Sequence, residues 1–271
     1  MPRTVLITGA GGGLGQAIAT QMARDGDHVV GTVRDEARAQ SLSEEAASQG
    51  LSLRYESLEL TSPESRDALI QRLGGPVDVL VNNAGFGIYG ALEEVSDDRA
   101  AQQIAVNLTA PLALTRALLP GLRKTRGCVV WIGSLGGRFA LPFQSHYSAT
   151  KAAIAATSDA LRMELKPLGV RVTCVEPGDF ATGFTDARDW GESPESAYAE
   201  ASARCREAVE RTERNEGEDP SVVARLVSRL SRMNNPPARR PVGRWARTLV
   251  FLQRLLPEWL RERLVAGTYD Q

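Results

Sequence analysis

Tyr147 and Lys151 stand four residues apart in Ser145-His146-Tyr147-Ser148-Ala149-Thr150-Lys151, at the head of an alanine-rich stretch. On a helix that spacing puts both side chains on one face. A phenol, with a free pKa of about 10, is a poor base at neutral pH. An ammonium beside it favours the phenolate, so the pair can take and return a proton. Ser134 ends the apolar run Trp131-Ile132-Gly133-Ser134 and offers a hydroxyl at the carboxyl edge of a predicted strand. Asn107 lies in the apolar helical run 104–119, where an amide is costly unless hydrogen-bonded. Pro111, four residues on, has no N–H for the Asn107 carbonyl. That carbonyl can hold a water between Asn107 and Lys151 and feed protons to Tyr147; a plain helix kink is the competing reading. His146 adjoins the tyrosine, but successive helical residues point apart, so it is assigned to a pocket wall rather than to proton transfer.

The first apolar run leads straight into Thr8-Gly9-Ala10-Gly11-Gly12-Gly13-Leu14-Gly15. Glycines there permit a sharp turn and close approach of the backbone to a pyrophosphate, and a following helix points N–H groups at that charge. No Lys-Ser/Thr pair follows, which removes the Walker type of phosphate loop. A dinucleotide is the expected ligand. The second run ends Gly31-Thr32-Val33-Arg34. Sites for an unphosphorylated ribose carry an acidic residue near this point, whereas a guanidinium pairs with a 2′-phosphate. The expectation is NADP(H), with NAD(H) kept open because Asp35 could turn inward and offset Arg34. Asn82-Asn83-Ala84-Gly85 closes the fourth run with small residues that let a ring or ribose approach the main chain.

These groups must be positioned by regular elements. Apolar, β-branched runs at 4–8, 28–33, 51–57, 77–81, 128–133 and 170–175 read as parallel strands covered on both faces. Helical segments separate them; Leu14, Ile18 and Met22 make a buried stripe in the first. The fold class is therefore α/β, a doubly wound parallel sheet of the Rossmann type in a single domain, 1–271. Residues 1–180 form the cofactor and catalytic core, 181–235 a substrate loop and cover helices, and 236–271 a C-terminal extension. Within 181–235, the charge-dense part reads as either a solvated helix or a cover over a cleft. A weak last strand is placed at 240–244. The tail carries an apolar helical stripe, Leu249, Leu252, Leu255, Leu256, Trp259, Leu260 and Leu264, broken at Pro257. It could close the active site, pack on a second subunit, or, least favoured, lie on a membrane.

Lys plus Arg number 32 against 33 Asp plus Glu, a net charge of −1, so nothing pulls the whole molecule toward nucleic acid. Three cysteines are too few for a disulfide framework and are read as buried thiols. Two histidines without ligand spacing argue against a metal site. No run looks long and apolar enough to span a bilayer, and a cytoplasmic protein is expected.

With TGAGGGLG at 8–15, NNAG at 82–85, Asn107, Ser134, YSATK at 147–151, Pro177-Gly178 and Thr182, the sequence resembles the short-chain dehydrogenase/reductase family. The resemblance implies a catalytic tetrad of Asn107, Ser134, Tyr147 and Lys151. It implies a glycine turn built on Gly9, Gly13 and Gly15, with Gly11, Gly12 and Leu14. Arg34, Glu59, Leu60, Asn83, Ala84 and Gly85 are further implied cofactor contacts, as are Tyr147, Lys151, Pro177, Gly178 and Thr182. LPFQSHYSATK and VEPGDFATGF are most similar to the 17β-hydroxysteroid and retinol dehydrogenase group. That implies hydride exchange between a lipophilic ketone or aldehyde and its alcohol, in a pocket with Phe86, Phe139, Phe143, His146, Phe180 and Phe184. A homodimer or homotetramer is implied as well. A cofactor-binding scaffold without turnover and a nucleotide-sugar epimerase or dehydratase are the alternatives. The first has no need of Ser134, Tyr147 and Lys151 together; relatives of the second carry another glycine spacing.

Overall fold

The computed structural model describes residues 2–181, 189–190 and 196–269, without the side chains of 189, 190 and 213–216. Short β-branched runs alternate with amphipathic helices: β1 (Thr4–Ile7), α1 (Gly13–Arg24), β2 (His28–Val33), α2 (Glu36–Ser48), β3 (Leu53–Ser57), α3 (Pro63–Leu73) and β4 (Val79–Asn82). A two-residue β5 (Ile88–Tyr89) precedes α4 (Asp97–Ile104), α5 (Ala110–Thr125), β6 (Cys128–Ile132), α6 (Ser145–Leu165) and β7 (Arg171–Pro177). Then come β8 (Asp189–Trp190), α7 (Ala199–Glu216), α8 (Ser221–Arg232), β9 (Arg239–Val242), α9 (Ala246–Leu255) and α10 (Glu258–Thr268).

Seven strands pair in the order β3-β2-β1-β4-β6-β7-β9, every neighbour parallel, as the sequence pattern requires. Alternate residues feed two cores. Val5, Ile7, Val79 and Val81 pack with α1, α2 and α8 on one face. Leu6, Leu80, Val129 and Trp131 pack with α3, α5 and α6 on the other. Strand order reverses between β1 and β4, so the crevice at their carboxyl ends is where a ligand of this architecture sits.

Several expectations are refined. The weak last strand is real but begins at Arg239, and it takes the sheet edge beside β7. Helix α8, expected among the cover helices, is a core helix: Val223, Leu226, Val227 and Leu230 are buried against the sheet and α1. Ile18 and Met22 are fully buried in α1, and Leu14 packs at the edge of the same core. Cys128, Cys174 and Cys205 are all buried; burial pushes the thiols of Cys128 and Cys174 up to about 11 and about 12.

The long helical run 97–125 corrects the expectation about membrane spans, because its length and composition alone would allow a crossing. Leu114, Leu118 and Leu122 nonetheless bury one of its faces against the sheet, as in a core helix. Its middle, 105–109, widens to a π turn in which the Ala110 N–H reaches Ala105 O. Pro111 supplies the cause, since it cannot donate one turn back and the ladder must slip.

Candidate active site

At the carboxyl end of β1 the glycine turn is locked by two side chains. Thr8 Oγ1 accepts from the main-chain N–H groups of Asn83 and Ala84, both at 3.0 Å. Asn83 Nδ2 donates to Thr8 O at 3.0 Å and to Gly9 O at 2.9 Å. Gly9 has φ +66°, and a Cβ on it would lie 2.9 Å from Ala84 Cα. A Cβ on Gly15 would overlap Gly9 O, so both positions demand glycine. No side chain caps α1, and its first residues line a cavity of about 1180 Å³.

At the far end of that cavity, β2 delivers Arg34, and the first turn of α2 delivers Arg38. Neither guanidinium makes an ion pair among the described residues. Asp35, which could have offset Arg34, is committed elsewhere: its Oδ1 accepts from Arg38 N at 2.7 Å and caps α2. Glu59 also faces this end. Its carboxylate accepts from the Thr61 hydroxyl and N–H, which with the nearby Arg34 holds it below the usual carboxylate range.

The proton-handling residues sit where β6 meets α6. Ser134 Oγ accepts from Gly136 N at 2.9 Å, which leaves its own hydrogen to donate. A Cβ on Gly136 would lie 3.2 Å from the Tyr147 ring and 3.3 Å from Ser134 Oγ, so the two side chains flank one small gap. Lys151 Nζ lies 5.7 Å from the centre of the Tyr147 ring and donates to Ile132 O at 2.9 Å. Lys151 is buried, and the loss of water lowers its ammonium from 10.5 to about 8.

Asn107 does not line the cavity. Its Oδ1 accepts from Phe86 N at 3.0 Å, while Nδ2 donates to Phe86 O at 2.9 Å and to Thr150 Oγ1 at 3.3 Å. The buried amide thus clamps the loop after β4 onto α6. It was expected to feed a water relay; the side chain itself is spent as an anchor.

Of the expected pocket residues, Phe86, Phe139 and Phe180 line the cavity. Phe143 and His146 are corrected. Phe143, at φ +57°, turns away to stack on Tyr89 with ring centres 5.8 Å apart. His146, one residue before Tyr147, is rotated off the wall that Tyr147 occupies. Thr182 and Phe184 lie outside the described residues. The other expected cofactor contacts, Gly9, Gly11–Gly13, Leu14, Gly15, Leu60, Ala84, Gly85, Pro177 and Gly178, all border the same cavity.

Sequence reasoning missed Arg38, which the start of α2 just after Arg34 brings to the same end of the cavity. It also left the tail undecided. Leu249, Leu252, Leu256 and Leu264 line the cavity, with Val209 and Thr212 of α7. Within the charge-dense segment, α7 is therefore a cover, its Cys205, Ala208 and Val209 buried on one side. Glu176 is 1% exposed and accepts from Arg138 Nε at 2.7 Å in the loop after Ser134. Burial pushes its carboxyl up despite Arg138 and Arg239. Gln253 of α9 donates to Arg138 O at 2.9 Å and so ties the tail to that loop.

A family model described as short chain dehydrogenase matches residues 3–192. A 3-ketodihydrosphingosine reductase from Bacteroides thetaiotaomicron is 35% identical over 89% of this chain and 88% of its own. Among solved structures, a short-chain dehydrogenase from Streptomyces avermitilis superposes with TM-score 0.81 at 34% identity, covering 99% of this chain and 98% of its own. A closed form of serine dehydrogenase complexed with NADP+ gives TM-score 0.75 at 26% identity, over 89% and 94%.

Proposed function

The chain belongs to the short-chain dehydrogenase/reductase family, and from that premise we propose that it interconverts a lipophilic ketone or aldehyde and its alcohol with NADP(H). The chain's own residues fit that cofactor. The glycine turn has no room for side chains at Gly9 and Gly15 and leaves Gly12 open, as close approach of a pyrophosphate requires. Arg34 and Arg38, with Asp35 holding the α2 N-terminus through Oδ1, suit a 2′-phosphate better than a bare ribose. The serine dehydrogenase complexed with NADP+ supports the same preference.

When bound, the nicotinamide supplies or accepts the hydride at the carbonyl carbon. Tyr147 gives a proton to the carbonyl oxygen in reduction and takes it back in oxidation. Ser134 donates its remaining hydrogen to the same oxygen and fixes it beside the phenol. Lys151, charged at neutral pH and held against the ring, stabilises the phenolate that Tyr147 becomes. Asn107 keeps the Phe86 loop and α6 at a fixed separation, and through Thr150 it bears on the turn carrying Tyr147. The carrying observation is that Ser134, Tyr147 and Lys151 meet in the cavity that also holds the glycine turn and the two arginines.

Leucines and phenylalanines wall the catalytic half, which favours an apolar substrate. The kinship to hydroxysteroid and retinol dehydrogenases rests on two sequence segments and on a retinol dehydrogenase 8 from Homo sapiens that is 36% identical over 68% of this chain and 60% of its own, while the 3-ketodihydrosphingosine reductase matches over 89% of this chain. A long-chain or polycyclic carbonyl fits both. A homo-oligomer in the cytoplasm completes the reading, its support being the family resemblance and the exposed Ile104 and Met163 on α4 and α6.

The test is loss of NADPH absorbance with purified protein over steroid ketones, retinaldehyde, long-chain 3-keto amines, quinones and small aromatic ketones. Turnover with a lipophilic class is expected. Failure of all classes, together with no NADPH-dependent rise in melting temperature, overturns it.

A further inference from the structure

The last two helices are walled with apolar side chains on two sides. One side lines the cavity. The other faces water: Phe251 is 61% exposed, Leu255 65% and Trp259 63%, none of them lining that cavity. Seven of the thirteen exposed large apolar residues of the described chain fall between Trp245 and Leu264; Leu249, Leu252 and Leu264 line the cavity, and Trp245, Phe251, Leu255 and Trp259 do not. Helix α10 has eleven residues and buries none of them, and an isolated helix that short is marginal in water. Some further apolar surface has to complete it.

Charge indicates which surface. Residues 244–263 hold five arginines against Glu258 and Glu262; Arg261 lines the cavity, and the other four, Arg244, Arg247, Arg254 and Arg263, leave a net +2 in a chain whose total is −1. Arg247 and Arg254 flank Phe251 around a second cleft of about 590 Å³, beside Arg138 and Arg239. Arg138 and Arg239 are neutralised by Glu176 and Asp159; Arg247 and Arg254 make no ion pair among the described residues. Exposed tryptophan and leucine interleaved with unpaired arginine is the chemistry of a helix lying in an anionic lipid interface. A second copy of this chain would meet like charge along the same strip.

We propose that α9 and α10 dock the protein on an anionic membrane surface. Phe251, Leu255 and Trp259 enter the headgroup boundary while Arg247 and Arg254 contact the phosphates. Because Leu249, Leu252 and Leu264 line the cavity from the same two helices, docking sets the cavity wall against the bilayer. That places a lipid-soluble carbonyl within reach without passage through water. The docking itself stands apart from the dehydrogenase reading and is tested without substrate.

The full chain is floated with vesicles of phosphatidylcholine alone or with phosphatidylserine. At least about tenfold stronger partitioning onto the phosphatidylserine vesicles is expected, lost at high salt. Phe251→Ser with Trp259→Ser, and separately Arg247→Glu with Arg254→Glu, should each cut binding about tenfold while melting temperature and NADPH binding hold. Absence of flotation on either vesicle overturns the proposal, as does binding that ignores both variants. Light scattering without vesicles supplies the remaining outcome: a dimer that the Phe251/Trp259 variant splits would assign the surface to a second copy and overturn it.

Discussion

At the glycine end of the cavity, the wall is main chain fixed by buried side chains. Thr8 and Asn83 hold the turn through four hydrogen bonds, and Gly9 and Gly15 leave no slack. At the tail end the wall is one side of α9 and α10, which together bury only Ala246 and Val250, tied to the core by Gln253. The first region has one geometry available to it. The second is a shaped apolar surface whose position depends on what it touches. Chemistry common to a family needs the former, and choice of substrate can be left to the latter.

The comparison breaks first at Tyr147. If the rigid end carries the chemistry, Tyr147→Phe lowers kcat by about 10²–10⁴-fold with NADPH affinity intact, measured by steady-state rates and cofactor titration. Next, Arg34→Ala with Arg38→Ala should weaken NADPH by about 10–100-fold and leave NADH nearly unchanged, as titration calorimetry would register. Equal losses for both cofactors would show that the arginines do not read the phosphate.

Lys151 gives a pH signature. Its pKa is about 8 folded, below its ordinary 10.5, so the folded state bears the cost of a buried charge at every pH below about 8. Between 8 and 10.5 the unfolded chain holds a proton that the folded one has released, and this site then adds stability as pH rises. Lys151→Met without cofactor should therefore melt no lower than the parent at pH 7, and its relative advantage should shrink through that window. Melting curves across pH decide it, with activity lost throughout. The smallest effect is at the seam of the two regions. Gln253→Ala removes one hydrogen bond of about 1 kcal/mol, raising KM for the carbonyl about fivefold and leaving KM for NADPH alone.

Much of the rigid end was legible because its constraints are local. A glycine run after an apolar strand, and Tyr and Lys at one helical turn, declare their geometry within eight residues. Asn107 was legible as costly but not as an anchor, because its partners Phe86 and Thr150 lie 21 and 43 residues away in the chain. Asp35 was ambiguous for a related reason: whether it faces the ribose depends on where α2 begins. Phe143 looked like a pocket residue by composition, and a positive φ that sequence does not announce sends it to Tyr89.

By itself, then, the sequence determined the parallel α/β sheet, the phosphate-binding turn and the proton-handling pair. Each follows from periodicity or from residue types a few positions apart, and short-range sterics decide such matters before the chain is compact. The tertiary structure decided what faces what: α8 in the core rather than over the cleft, Asn107 as a clamp, Glu176 paired with Arg138, and the tail as both cavity wall and exposed basic, apolar face. Those outcomes turn on contacts between segments far apart in the chain, where burial of a side chain is fixed by its neighbour across the fold rather than by its neighbour in sequence.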